Sequence, residues 1–140
     1  FNDVLVVDDY AHHPTEVKAT LKSARAGWDR RIITVFQPHL FSRTKEFYCD
    51  FAYALELADI VIITDIYPAR EEPIAGVTSQ LIYDELIKTM GGKCFLIPEL
   101  GDIKNVLDKI IKPGDLLLTM GAGDIWRYNE SYVNHIKNYD

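Results

Sequence analysis

Val4-Leu5-Val6-Val7-Asp8-Asp9-Tyr10-Ala11-His12-His13-Pro14-Thr15-Glu16 reads as a strand running into a helix. Its four apolar residues do not alternate with polar ones, which is the pattern of a strand buried on both faces. Pro14 suits the first position of a helix. Val17, Leu21 and Ala24 then share one helical face, and Gly27 stops it. The same unit recurs along the chain. Apolar runs at Ile32–Phe36, Ile60–Ile63, Phe95–Ile97 and Leu116–Leu118 repeat the strand signal. Amphipathic stretches follow them: Phe47, Phe51, Ala54, Leu55 and Ala58; then Ile82, Leu86 and Met90, closed by Gly91-Gly92. Ile103, Val106, Leu107 and Ile110 come next, closed by Pro113-Gly114, and Ile125, Tyr128, Tyr132 and Ile136 mark a last helix. Repeated strand-helix units with right-handed crossovers predict an α/β fold: three layers, α/β/α, around a mostly parallel sheet of about five strands.

Composition sets limits on function. A chain of 140 residues is sized for a single domain, expected over residues 1–140. No apolar run approaches the roughly 20 residues of a membrane span, so no membrane partner is expected. Phe1-Asn2-Asp3 carries neither a basic region nor an apolar signal core. Lys and Arg total 15 against 21 Asp and Glu, a net charge of −6. Phosphate backbones want a basic face, so a nucleic-acid partner is not expected. Cys49 and Cys94 form no disulfide framework and sit beside no metal-type partner. Both are expected to be buried apolar residues in a reducing cytoplasm.

Open parallel sheets bind ligands outside the carboxyl ends of their strands. The residues there are Asp8–Pro14, Gln37–Thr44, Asp65–Pro73 and Gly121–Asp124. His12, His13 and His39 and charges of both signs fall on this edge, whereas the opposite edge carries plain turns such as Lys112-Pro113-Gly114-Asp115. Asp8-Asp9 suits a metal ion, ribose hydroxyls or a helix cap. His12 and His13 are adjacent and point apart, so they do not share a metal, and one of them suits the cap of the Pro14 helix. His39 and Arg43 are four residues apart at a helix start, where the free N–H groups and an Arg fork both favour an anion. Arg70 belongs to the same site or pairs with Glu71 or Glu72. Gly121-Ala122-Gly123 reads as a phosphate loop or as a turn where backbone passes close to a neighbour. Tyr67 and Phe41 offer aromatic surface or packing at this edge. The chain has no G-x-x-x-x-G-K-[ST], G-x-S-x-G or C-x-x-C, so neither a self-contained nucleotide hydrolase nor a hydrolytic triad is supported.

Two resemblances compete. Val4–Asp9 and Ile62-Ile63-Thr64-Asp65-Ile66 are similar to the first and third strands of response-regulator receiver domains. Those domains follow strand 5 with a Lys that contacts the phosphoryl group. Here Leu118-Thr119-Met120-Gly121 has none, and strand 4 runs into Pro98-Glu99 where receivers place Ser or Thr. A stand-alone phospho-acceptor therefore ranks second.

Asp8-Asp9-Tyr10-Ala11-His12-His13-Pro14-Thr15-Glu16 resembles the C-terminal domain of the Mur ligases, the ATP-dependent amide-bond-forming enzymes of peptidoglycan synthesis. Gln37-Pro38-His39-Leu40-Phe41-Ser42-Arg43-Thr44, Asp65-Ile66-Tyr67-Pro68-Ala69-Arg70-Glu71 and Gly121-Ala122-Gly123-Asp124-Ile125 match three further motifs, most closely in the alanine-adding branch. The branch that recycles murein tripeptide shares the first motif but not the second, and is an alternative within the family. The resemblance implies a Rossmann-like domain that follows a UDP-sugar domain and a central P-loop ATPase domain, both absent from this chain. An antiparallel strand that usually precedes the first motif is expected to be missing ahead of Phe1. The last strand is expected between the first two, bringing Gly121 beside Asp9 and Gln37.

The implied reaction joins L-alanine to UDP-N-acetylmuramate through an acyl phosphate, releasing ADP and phosphate. ATP and Mg2+ are held mainly by the central domain. Asp9, Tyr10 and His12 are implied at the nucleotide, and His39 and Arg43 at the alanine carboxylate. Arg70 is a possible substitute for the Arg that some relatives carry where this chain has Leu40. No catalytic residue and no metal ligand is assigned to this chain. The expected partners are the small-molecule substrates and the other domains of the same polypeptide.

Overall fold

The computed structural model describes residues 3–138. Phe1 and Asn2, and any strand expected ahead of them, lie outside the described residues. Five strands and five helices alternate: β1 (Leu5–Asp9), α1 (Pro14–Gly27), β2 (Ile32–Phe36), α2 (Phe41–Leu55), β3 (Ile60–Ile63), α3 (Gln80–Met90), β4 (Cys94–Leu96), α4 (Leu100–Ile110), β5 (Leu116–Met120) and α5 (Ile125–Asn138). A 3-10 turn at Gly91–Lys93 joins α3 to β4.

The sheet order is β1-β5-β2-β3-β4, and every pairing is parallel. The expected sheet is thus all-parallel, and β5 does lie between β1 and β2. That order separates the chain from receiver domains, whose sheet runs 2-1-3-4-5 with the last strand at an edge.

Right-handed crossovers then dictate the layers. Connections from β1 to β4 move outward and put α1, α2 and α3 on one face. The return from β4 to β5 puts α4 on the other, and α5 joins it. The two cores agree. Leu21, Phe36, Phe51, Leu55, Ile63, Ile82 and Leu86 pack on the first face. Val35, Ile62, Ile103, Leu107, Leu117, Ile125 and Tyr132 pack on the second. β2 and β5 are buried at every residue, as central strands with both faces covered must be.

The edge read as plain turns carries an ion pair between a half-buried Arg31 and a buried Asp115. Arg31 Nε and Nη2 donate to Asp115 Oδ1 and Oδ2 at 3.0 and 2.7 Å, and Nη2 also donates to the Ile110 carbonyl. Asp115 is 3% exposed and also accepts the Lys112 N–H at 2.8 Å. One expectation fails on the helix layer: Cys94 is buried, but Cys49 is exposed. Phe51 and Ala52 take the inward face of α2, and Cys49 falls on the outward one.

Candidate functional site

Helices leave β1 and β5 toward opposite faces of the sheet, so a crevice opens at the carboxyl ends of β1, β5 and β2. Its floor is tight. The Gly121 N–H donates to the Asp9 carbonyl at 3.2 Å, and the Gln37 N–H donates to the Met120 carbonyl at 3.0 Å. The Gln37 side chain donates to Asp124 at 2.6 Å and accepts the Ile125 N–H at 3.2 Å, which fixes the start of α5. A Cβ on Gly123 would stand 2.5 Å from Tyr67 Cγ and 2.6 Å from Gln37 Oε1. One on Gly121, at φ +152°, would stand 3.0 Å from the Gln37 carbonyl. The glycine loop is therefore the close-approach turn of the two readings. Gly123→Ala is expected to lower stability by about 1–3 kcal/mol, the usual cost of forcing an extra methyl into a packed site. A urea titration checks it, and unchanged stability would show that the Tyr67 ring yields freely.

The acidic pair splits. Asp9 accepts the Ala11 N–H at 2.8 Å and the Thr20 hydroxyl at 3.4 Å on the α1 side. Asp8 accepts the Thr119 hydroxyl at 2.7 Å, and that oxygen accepts from Asn129 of α5. Neighbours on a strand point to opposite faces, so the two carboxylates do not converge on one cation. Among the described residues, no group of three or more His, Cys, Asp or Glu is arranged to hold a metal.

Tyr10, 70% exposed, meets His12 edge-on at 5.2 Å. His12 Nδ1 hydrogen-bonds the Tyr10 carbonyl at 2.9 Å. The row continues from His12 to His39 at 5.8 Å and from His39 to a stacked Tyr67 at 5.7 Å. His13 turns away onto Phe47, at the cap position of α1. Glu16 completes that cap by accepting the His12 and His13 N–H groups at 3.2 and 3.0 Å. These bonds, led by the one from His12, hold its carboxyl below the usual range.

A parallel bridge between His39 and Tyr67 brings the β2 and β3 loops together. Two buried polar atoms there, His39 Nδ1 and Arg43 Nη1, have no hydrogen-bond partner. A guanidinium N–H without an acceptor costs free energy that an incoming anion recovers. Burial, then the charges of Arg43 and His12, push His39 below the ordinary histidine value of 6.5. It is therefore expected to be uncharged at pH 7, with an NMR titration midpoint below 6.5. Below pH 6.5 the unfolded chain takes the proton first, so this residue makes stability fall with pH. A midpoint at or above 6.5 would show that the ring is solvated.

The expectation of a free α2 N-terminus is corrected. Glu71 occupies it, accepting the Ser42 N–H at 2.9 Å and the Ser42 hydroxyl at 2.5 Å. Glu71 thus pairs with α2 rather than with Arg70, which is exposed and has no ion pair among the described residues. Spacing could not have shown this, because Glu71 lies 29 residues from Ser42. Phe41 opens α2 half-buried and stays outside the row of rings, whereas Tyr67 is part of it. Asp65 lines a second cleft, of about 430 Å³, beyond Tyr67 with Thr64, Glu99 and Asp124. No helix is long and apolar enough to cross a membrane among the described residues.

A family profile described as Mur ligase, glutamate ligase domain, matches residues 1–123. The UDP-N-acetylmuramate–L-alanine ligase of Geotalea uraniireducens is 49% identical over 138 residues, covering 96% of this chain and 30% of the relative. The enzyme of the same name from Cutibacterium acnes is 53% identical over 125 residues, covering 88% of this chain and 26% of the relative. The crystal structure of the Thermotoga maritima UDP-N-acetylmuramate-alanine ligase superposes with a TM-score of 0.79 at 28% identity, covering 99% of this chain and 28% of that one. A murein peptide ligase from Psychrobacter arcticus superposes with a TM-score of 0.76 at 25% identity, covering 95% of this chain and 27% of that one. The chain spans about 30% of the length of the curated relatives.

Proposed function

Because this chain belongs to the Mur ligase family, in its glutamate ligase domain, we propose that it is the C-terminal domain of a cytoplasmic ligase joining L-alanine to UDP-N-acetylmuramate. The observation that carries the reading is the pair of buried, unpartnered polar atoms at the start of α2, Arg43 Nη1 and His39 Nδ1, with burial and the Arg43 charge pushing His39 toward its neutral form. A small amino acid needs a cation for its carboxylate and a neutral neighbour that does not draw a second anion.

Under this reading the chain binds and orients. Arg43 holds the alanine carboxylate, and His39 and Tyr67 form the pocket wall, with exposed Arg70 nearby on the Tyr67 loop. The exposed Tyr10 ring and His12 fit a nucleotide's flat base and sugar. Asp9, tied to Ala11 and Thr20, keeps lone pairs for a ribose hydroxyl. ATP supplies the phosphoryl group that activates the sugar's carboxylate. Mg2+ would be held mainly by the central ATPase domain. Residues 1–140 form one domain, whose partners are the UDP-sugar and ATPase domains of the same polypeptide.

The purified chain alone is expected to melt cooperatively and to release no phosphate from ATP in the presence of UDP-N-acetylmuramate and L-alanine. The full-length ligase should release phosphate only when both are present. Turnover by the chain alone, or by the full enzyme without L-alanine, would overturn the reading. Selective use of murein tripeptide in place of L-alanine would favour the recycling branch. A receiver predicts the opposite in another assay, since acetyl phosphate with Mg2+ would then modify Asp65. Mass spectrometry is expected to find Asp65 unmodified, because β5 runs into Gly121 with no Lys behind it.

A further inference from the structure

We propose that Glu71 is the positioning residue of the amino-acid site: its carboxylate staples the Tyr67–Glu71 loop to the first turn of α2, setting His39, Tyr67 and Arg43 against one another. The proposal rests on the reading that the amino acid binds at Arg43.

A helix start leaves backbone N–H groups unpaired, and a polar side chain at the cap position ordinarily accepts one of them. Here the cap position holds Leu40, which has no acceptor and sits at φ 73°. Glu71 supplies both acceptors from another loop, taking the Ser42 N–H on Oε1 and the Ser42 hydroxyl on Oε2. Arg43 is the next residue of that turn.

The loop that delivers Glu71 is itself tied down. The Tyr67 N–H donates to the Pro38 carbonyl at 2.8 Å, and the Leu40 N–H donates to the Tyr67 carbonyl at 2.9 Å. The Glu71 N–H closes a turn onto the Pro68 carbonyl at 2.9 Å. Within that turn Ala69 and Arg70 take left-handed backbone, at φ 48° and 74°. Side-chain-bearing residues hold such conformations only where the surroundings over-determine them. The Glu71–Ser42 contact is what holds the far end of this turn against α2. Tyr67, at its near end, lies between His39 and the Gly123 backbone. Loosening Glu71 therefore frees the wall and the cation together.

Charge gives Glu71 a second effect. Its carboxylate fills the α2 N-terminus that a substrate carboxylate would otherwise seek, and it lies near Arg43 and His39. The substrate anion is left to the Arg43 guanidinium, so its direction of approach is fixed.

The test uses the full-length ligase. Glu71→Ala is expected to raise the KM for L-alanine by about tenfold, with kcat and the KM for ATP within about twofold. Glu71→Gln keeps an acceptor for Ser42 and should recover most of the loss. It removes the negative neighbour, so the His39 titration midpoint, read by NMR on histidine-labelled enzyme, should fall further. An unchanged KM for L-alanine in Glu71→Ala, an equal loss for ATP, or an unmoved His39 midpoint in Glu71→Gln would overturn the proposal. Wild-type enzyme indifferent to L-alanine would overturn the underlying reading instead.

Discussion

On the proposed reading, Arg43→Ala is expected to raise the KM for L-alanine in the full-length ligase by roughly one to two powers of ten. A charge-assisted hydrogen bond to a carboxylate contributes on the order of 1.5–3 kcal/mol, and each 1.4 kcal/mol is tenfold. The loss is expected to be specific. Glu71 already occupies the α2 N-terminus, so no free helix end takes over the anion once the guanidinium is gone. On the same reading the KM for ATP should change little, because Tyr10 and His12, which are proposed to meet the nucleotide, belong to a different loop. Arg43→Lys should recover only part, since an ammonium lacks the planar fork. Steady-state kinetics decide the matter. A variant that spares alanine and damages ATP binding would move Arg43 to the nucleotide site.

Asp115→Ala lowers the unfolding free energy by about 3 kcal/mol, the lower end of the range for breaking a buried pair. The Arg31 side chain keeps a third of its surface in water, which holds the cost at that end. Asp115 itself is 3% exposed and accepts from Arg31 twice and from Lys112. Removing it takes an acceptor from Arg31 Nε and from the Lys112 N–H and leaves Arg31 Nη2 with only the Ile110 carbonyl. The pair also ties the start of β2 to the turn before β5, the two central strands of the sheet. Asp115→Asn keeps an acceptor and should cost less. Chemical denaturation of the isolated chain measures both. A loss below about 1 kcal/mol would place the pair among ordinary surface bridges.

The two predictions concern opposite edges of one sheet, and those edges differ in how far the sequence reveals them. The Arg43 edge announced itself. His12, His13 and His39 and both charge signs clustered after apolar runs, and strands carry their ligand-facing loops at one end. The Asp115 edge read as a plain turn, because nothing local in Lys112-Pro113-Gly114-Asp115 points to Arg31.

Local spacing determined the elements. Val4–Val7 has the composition of a strand covered on both faces, and β1 does form at Leu5–Asp9, but as an edge strand only half-buried, because strand order and not local composition sets how much of each face is covered. Pro14 and Gly27 bound α1 because one lacks the N–H a first turn does not use and the other tolerates a helix end. The period-two rule could also have separated Asp8 from Asp9, since adjacent strand residues face opposite sides. The placing of β5 between β1 and β2 came only from the family resemblance, as periodicity carries no information about which strands pair.

Tertiary structure decided the rest. Glu71 reaches α2 across 29 residues, Arg31 meets Asp115 across 84, and Gly123 backs onto Tyr67. Each contact joins loops that only the folded sheet brings together. Hydrophobic periodicity is a local property, set by the geometry of a single helix or strand. A hydrogen bond between loops is set by the order in which strands pair, which is why the sequence determined the elements and the strand-end crevice while the fold decided which residue caps, which pairs and which must be glycine.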